Sequence, residues 1–364
     1  MNSQPLIPDF SWTKHVAGPW SGDMFSLTLW SVMLGVLVIS TCGLIGNFLI
    51  LRRMALLGDA ISHSVLAGIA VVVVAPMVIK LGGHGHVSPT TMFIGAMVAG
   101  VFTTVLIELI HRYSRVKQDA AIGIAFTSLF ALGVVLISLK VNKTHIDAEC
   151  VLYGDMTHVI AEKERAPVDT KLASKLGDLP FSGAFLERTA AGKYKLVTYP
   201  GVIRMGIILL VVIGLMWLFY KELLVSSFDP GLASSLGINA TVVHYALMAV
   251  ISLVVVAAFE SVGAILVVAT LILPGATAHL LSTRMKVIFI LTVIHAILSS
   301  VIGYHISVWL DCSVAGAMVV ASTGLFILAW LFSPYDGLLG KWLRQQQVQH
   351  EMPEEIGKTE TTVL

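Results

Sequence analysis

A carboxylate and an imidazole stand four residues apart in the stretch Leu56-Leu57-Gly58-Asp59-Ala60-Ile61-Ser62-His63-Ser64-Val65-Leu66-Ala67-Gly68. On an α-helix this spacing puts Asp59 and His63 one turn apart on a single face. The segment runs on from Ile69 to Ile79 without a charge. It is therefore long enough to cross a bilayer, where an ionisable side chain is costly and functional by default. One oxygen and one nitrogen ligand suit zinc, manganese or iron(II), whereas calcium and magnesium are usually held by oxygen alone. Spacing alone leaves two readings: Asp59 and His63 are ligands of a transition-metal path, or Asp59 caps a helix and His63 hydrogen-bonds a neighbour in a helix bundle.

The elements that must hold such a pair are membrane helices. Of 364 residues, 56% are hydrophobic and 12% charged, against about 25% charged in soluble domains, and the mean hydropathy is +0.87. The fold class is an all-α integral membrane protein. Apolar windows recur at residues 26–51, 56–80, 91–110, 120–139, 201–220, 241–259, 261–281, 287–306 and 313–332, which makes nine expected transmembrane helices. Residues 1–25 form an N-terminal arm, polar, with Pro5, Pro8 and Pro19, and lacking the cationic start of a cleaved signal peptide. Four helices occupy 26–139, a long polar segment 140–200, five helices 201–334 and a tail 335–364. In the tail a basic stretch at 341–349 suits an interfacial helix, and the acidic end reads as disordered.

Lys and Arg in the short connections set the orientation. Arg52, Arg53, Arg112, Arg115, Lys117, Lys221, Arg284 and Lys286 fall in one set of alternate loops, and only Lys14 and Lys80 in the other. The richer set belongs in the cytoplasm, with the N-terminus outside and the C-terminus inside. The segment 140–200, between helices 4 and 5, is then external, as a small subdomain or partly ordered loop; its Lys and Arg weigh little, because segments of this length translocate largely regardless of charge.

Several function classes are excluded. A formal net charge of +1, with no basic patch interleaved with aromatics, rules out a nucleic-acid partner. No GxxxxGK[ST] phosphate loop occurs; Gly192-Lys193 lacks both the upstream glycine and the following Ser or Thr. No Ser-His-Asp set, paired carboxylates or HExxH helix is present, so the chain is not read as an enzyme, and any ATP hydrolysis is the work of a separate chain. Cys42, Cys150 and Cys312 match no zinc spacing. Cys150 and Cys312, both external, could pair.

Other residues carry paired readings. In Lys221 to Gly237, Asp229 suits an N-cap, Pro230 the first helical position and Gly237 the C-terminal stop. The expected short helix lies outside the membrane on the cytoplasmic side, as a receiver of force from a soluble motor or as an ordinary connection. Phe259-Glu260-Ser261 is the polar break between two apolar spans, which predicts a tight hairpin there; Glu260 guards the entrance of a metal path or anchors the turn at the headgroups. His84 and His86, on a glycine-rich external loop, collect metal or are simply solvated. His279 is an exit ligand or an imidazole at a helix C-terminus. His295 reads as a bundle hydrogen-bonder and His305 as interfacial, and the two do not share a face.

Taken together, these stretches resemble the membrane subunits of the bacterial ATP-binding-cassette importers for manganese, zinc and iron(II). The matching residues are Arg52-Arg53 with Leu57-Gly58-Asp59-Ala60-Ile61-Ser62-His63-Ser64; Tyr220-Lys221-Glu222 with Phe228-Asp229-Pro230 and Leu236-Gly237; Val262 to Ala269 with Pro274-Gly275-Ala276-Thr277-Ala278; and Ser313-Val314-Ala315-Gly316 with Leu331-Phe332-Ser333-Pro334. His145 to Gly154 looks like a segment of some longer members, and 159–199 has no clear counterpart. The resemblance implies a permease subunit of the bacterial inner membrane. It would pair with a second permease, the same or a related chain, and work with two cytoplasmic ATPase subunits and an extracytoplasmic metal-binding protein. No cofactor is held permanently; the metal is cargo. The family's metal-coordination site transfers to Asp59 and His63, and its coupling helix to Phe228, Asp229, Pro230, Leu232, Leu236 and Gly237.

On a helix continuous from Arg53, His63 would lie about 15 Å along the axis. One Asp and one His per subunit, doubled across a dimer axis, would give binding that is selective yet releasable. Two other transport readings compete: a secondary metal transporter, which should show inverted halves and interrupted helices, and an importer permease for a larger metal chelate, in whose wide path an ionisable pair would be out of place.

Overall fold

The computed structural model describes residues 8–21, 24–78, 89–138, 156, 159, 164–167, 186–188, 194–333 and 337. Its helices are α1 (Met24–Leu51), α2 (Leu56–Val78), α3 (Pro89–Tyr113), α4 (Gln118–Ser138), α5 (Pro200–Leu218), α6 (Tyr220–Phe228), α7 (Pro230–Ser235), α8 (Ala240–Val262), α9 (Ala264–Leu281), α10 (Met285–Leu310) and α11 (Val314–Phe332). Among the described residues eight of them, α1 to α5, α8, α10 and α11, are long and apolar enough to cross a membrane. The shorter apolar α9 supplies the ninth expected segment. The protein is a multi-pass, helical membrane protein.

α1 is the most enclosed of the eight spans. It packs against α9 and α10, and less extensively against α5 and α8. Lipid is as apolar as leucine, so helices associate in a bilayer through close packing, which small residues permit. α1 supplies these in series: a Cβ added at Gly35 would meet Met318 and Ser300, one at Gly43 would meet Thr292 and Pro274, and one at Gly46 would strike the carbonyl of Leu271. Asn47, fully buried beside them, donates from Nδ2 to the Gly43 carbonyl (2.8 Å) and to Thr292 Oγ1 (3.1 Å). The second of these bonds ties α1 to α10 where a polar group facing lipid would be expensive.

α2 lies against α3 and α4, with α8 and α9 also in contact. Gly68 faces Gly95 and Ala99 of α3, and Gly133 of α4 sits on the backbone of Leu66 and Ala67. The small residues of this face thus let two helices approach α2 closely.

Two connections differ in detail from the expected ones. α1 and α2 are separate helices, as the apolar windows 26–51 and 56–80 predict, but α2 does not run back continuously to Arg53: Arg53 adopts a left-handed conformation (φ 58°), and Met54 N–H closes back on the Leu49 carbonyl at 2.9 Å, the six-to-one bond of a helix C-terminal cap. His63 therefore lies seven residues into α2, about 10 Å from Leu56 along the axis rather than 15 Å from Arg53. Likewise, the break between α8 and α9 is not at Glu260-Ser261, which continue α8, but at Gly263 (φ 83°, ψ 166°). Glycine alone takes this backbone conformation at little cost, whereas Glu and Ser propagate a helix when its hydrogen bonds are available.

In the polar segment 140–200 three short strands, β1 (Glu164–Pro167), β2 (Leu186–Arg188) and β3 (Tyr194–Thr198), form an antiparallel sheet with β3 in the centre. Glu164 stands opposite Thr198, and Leu186 opposite Leu196. At the N-terminus, His305 of α10 accepts from Trp20 Nε1 (3.1 Å) and gives its Nδ1 proton to the His15 carbonyl (3.0 Å), tethering the arm to α10. His84, His86, Cys150 and the tail from residue 338 lie outside the described residues. So does any pairing of the exposed Cys312 with Cys150.

Candidate metal site and coupling region

Asp59 lies in the first turn of α2, where the positive end of the helix dipole favours a carboxylate. His63 follows one turn later, with Nε2 3.3 Å from Asp59 Oδ1. The spacing brings the two side chains together as the helical period requires. Their side chains keep 37% and 27% of their exposure, while Ala60, Ile61, Ser62 and Ser64 between and beside them are at 1% or less. The acid and the imidazole thus occupy the one open stripe of an otherwise enclosed helix turn. Ser62 and Ser64 donate to the carbonyls of Asp59 and Ile61 and take no part in the site.

Two phenylalanines of α4 hold the imidazole. Phe126 stacks on it (centroids 5.7 Å apart, planes at 30°) and Phe130 meets it edge-on (5.6 Å, 81°). Phe126 and Phe130 are themselves four residues apart, so a one-turn pair on α4 clamps the second member of the one-turn pair on α2. Neither ring stands out from the sequence, where phenylalanine in a membrane span reads as packing or lipid contact; the matched spacing is the one signal that marks them. On the far side of α2, Gly58 lies under Leu271 of α9.

Chemically, the arrangement offers one carboxylate oxygen and one imidazole nitrogen to a single cation. With metal–ligand distances of about 2.1 Å, donors this far apart subtend roughly 100° at the ion, close to the tetrahedral angle. Among the described residues no group of three or more His, Cys, Asp or Glu side chains converges on a possible metal position.

The other singled-out residues stand apart from this pair. Glu260, in the last turn of α8, is ion-paired with Arg204 of α5, whose guanidinium lies over Phe93 of α3 at 5.7 Å. Its carboxylate is engaged by that arginine. His279 ends α9 with Nε2 buried and without a hydrogen-bond partner among the described residues. His295 bonds Ser322 of α11 through Nε2 at 2.7 Å, as a bundle hydrogen-bonder should.

The expected short helix is α7. Asp229 Oδ1 accepts from the N–H groups of Gly231 (2.9 Å) and Leu232 (3.0 Å), Pro230 takes the first helical position, and Gly237 (φ 80°) ends the turn with Ile238 N–H on the Ala233 carbonyl. Phe228, Leu232 and Leu236 are 66%, 51% and 63% exposed. Three large apolar side chains on one protruding arm form a surface that a partner would cover. The sequence did not reveal α6, the helix before α7: the chain breaks at Phe219 (φ −105°, ψ 24°) and restarts, so the arm is two short helices joined at Asp229.

Comparison with known proteins bears on the same features. The chain is 39% identical over 326 residues to the manganese transport system membrane protein MntD of Bacillus subtilis, covering 90% of this chain and 99% of that one. It is 36% identical over 317 residues to the zinc transport system membrane protein TroD of Treponema pallidum, covering 87% of this chain and 77% of that one. Among solved structures it resembles PsaBC from Streptococcus pneumoniae, determined in complex with a Fab, with a TM-score of 0.65, 27% identity, and coverage of 92% of this chain and all of the other. The ABC 3 transport family matches residues 24–164 and 187–333, which takes in every helix from α1 to α11. The chain belongs to the ABC 3 transport family.

Proposed function

We propose that this chain is the permease subunit of an ATP-driven importer that moves a divalent transition metal, manganese, zinc or iron(II), across the bacterial inner membrane, with Asp59 and His63 as ligands to the ion in transit. The observation that carries the reading is the 3.3 Å contact between carboxylate and imidazole on the open stripe of α2. The relatives named for manganese and zinc transport support the cargo class.

A cation entering the pair exchanges part of its hydration shell for one oxygen and one nitrogen. The remaining positions are filled by water or by the same pair from a second permease, and a site of so few protein ligands per subunit releases its ion when the helices part. The partners are that second permease, an extracytoplasmic binding protein that delivers the metal, and two cytoplasmic ATPases. The apolar arm of Phe228, Leu232 and Leu236, shaped by Asp229, Pro230 and Gly237, is the surface on which an ATPase docks.

The test is uptake of manganese, zinc and iron by cells carrying the system, with Asp59→Ala and His63→Ala compared with the native chain at matched expression. Loss of uptake of one metal in both variants, with the complex still assembled, supports the reading and identifies the cargo. Undiminished uptake in both removes the pair from the path.

A further inference from the structure

We infer that Arg52 is the positioning residue that links the α6–α7 arm to the metal-bearing helix, so that movement of the arm reaches Asp59 and His63 through its guanidinium. The inference rests on the permease reading above.

Arg52 stands immediately before the left-handed Arg53 in the turn between α1 and α2. Its three nitrogens go to separate partners. Nε donates to Ser227 Oγ at 3.1 Å and Nη2 to Ser226 Oγ at 2.9 Å, both on α6, while Nη1 donates to His244 Nδ1 of α8 at 3.0 Å. A guanidinium only donates, so Nδ1 of His244 is the acceptor and the neutral ring carries its proton on Nε2. That nitrogen faces Glu108 Oε2 of α3 at 3.6 Å. One side chain therefore ties the α1–α2 turn to α6 and α8 directly, and to α3 through an oriented histidine.

The placement suits transmission. Ser226 and Ser227 stand at the end of α6, just before Phe228 and the Asp229 cap from which α7 starts. Ser226 is buried, and the Ser227 hydroxyl is itself held by the Leu223 carbonyl at 2.6 Å, so both acceptors are fixed to the arm. From Arg52 the chain reaches Asp59 within seven residues. The bonds from Met54 N–H to Leu49 and from Leu57 N–H to Met54 take up its slack. On the other side α8 and α3, the helices held by His244 and Glu108, both pack against α2; Gly100 of α3 faces Ile61 of α2 and Ser252 and Val256 of α8 at one level. A displacement of α7 is thus passed to the first turn of α2 along its own chain and to the walls beside it. A lysine could not do this, because one ammonium on a flexible stem does not hold three divergent acceptors in one plane.

The test uses the complete complex, this permease with its partner permease and ATPases, reconstituted in proteoliposomes. Manganese moved per ATP hydrolysed is compared with equilibrium manganese binding and with subunit stoichiometry, for the native chain, Arg52→Lys, and the double variant Ser226→Ala/Ser227→Ala, which removes only the two hydroxyls. Hydrogen bonds to a charged group contribute enough that losing them should lower manganese moved per ATP about tenfold, with binding and stoichiometry unchanged. An unchanged ratio in both variants overturns the inference. So does a fall of ATP hydrolysis, manganese binding and assembly in step in the double variant, since that marks a merely structural role. If the native complex itself neither hydrolyses ATP nor moves manganese, zinc or iron(II), the permease reading fails first and the inference with it.

Discussion

The histidine and the aspartate differ in how strongly their surroundings constrain them. Asp59 is placed by its position in the first turn of α2, whereas His63 is also gripped by Phe126 and Phe130. An aromatic contact of this kind contributes about 0.5–1.5 kcal/mol beyond burial. Phe130→Leu should therefore weaken manganese binding by roughly three- to tenfold at unchanged assembly, measured by equilibrium binding to the purified complex, because the imidazole loses its preset orientation. Glu260 offers the opposite case. Its carboxylate is already paired with Arg204, so Glu260→Gln should leave manganese affinity in the same assay within about twofold of native, as expected of a half-exposed ion pair outside the site. A large loss in that variant would return Glu260 to the list of ligands.

Among the elements, α7 is the one whose stability depends on a single side chain. It spans only Pro230–Ser235, too short to persist in water by propensity alone, and Asp229 satisfies two of its free N–H groups. Asp229→Ala should cost about 1 kcal/mol of helix stability. Copurification of the ATPase with the permease is the readout, and a reduced yield of ATPase is expected. Leu236→Glu tests the surface rather than the fold of the arm. It puts a charge on an apolar docking face, and should abolish copurification without altering the yield of permease. Equal recovery of ATPase in both variants would mean that α7 is an ordinary connection.

At the scale of the molecule, α1 is the axis on which the bundle is assembled, and its glycines set how near α9, α10 and α11 can come. An added methyl at Gly46 would collide with the backbone of Leu271 rather than with a movable side chain. Gly46→Ala should accordingly lower the thermal midpoint of the detergent-solubilised complex by several degrees, while Gly324→Ala, where a Cβ meets nothing, should leave it unchanged. α9 is the shortest of the nine apolar segments and also carries Pro274. It is nevertheless the meeting point of α1, α10 and α11 and touches α2 under Gly58. A bundle arranged this way lets a change at one helix be felt by Asp59 and His63 without any contact along the sequence.

The sequence by itself determined the membrane class, the approximate place of every span, the shared face of Asp59 and His63 and the cap of α7. Each follows from composition, from the period of the α-helix or from the chemistry of a single cap, all of which act within a few residues. Only the tertiary structure decided which rings hold His63, which arginine engages Glu260, and that Arg52, Ser226, Ser227, His244 and Glu108 meet. It also placed the turn between α8 and α9 at Gly263 instead of at the charged residue three positions earlier. The partners in these contacts are separated by tens to nearly two hundred residues along the chain. Period and propensity say which face a helix offers, but which neighbour receives it depends on close packing among many helices at once, and that is a property of the assembled bundle.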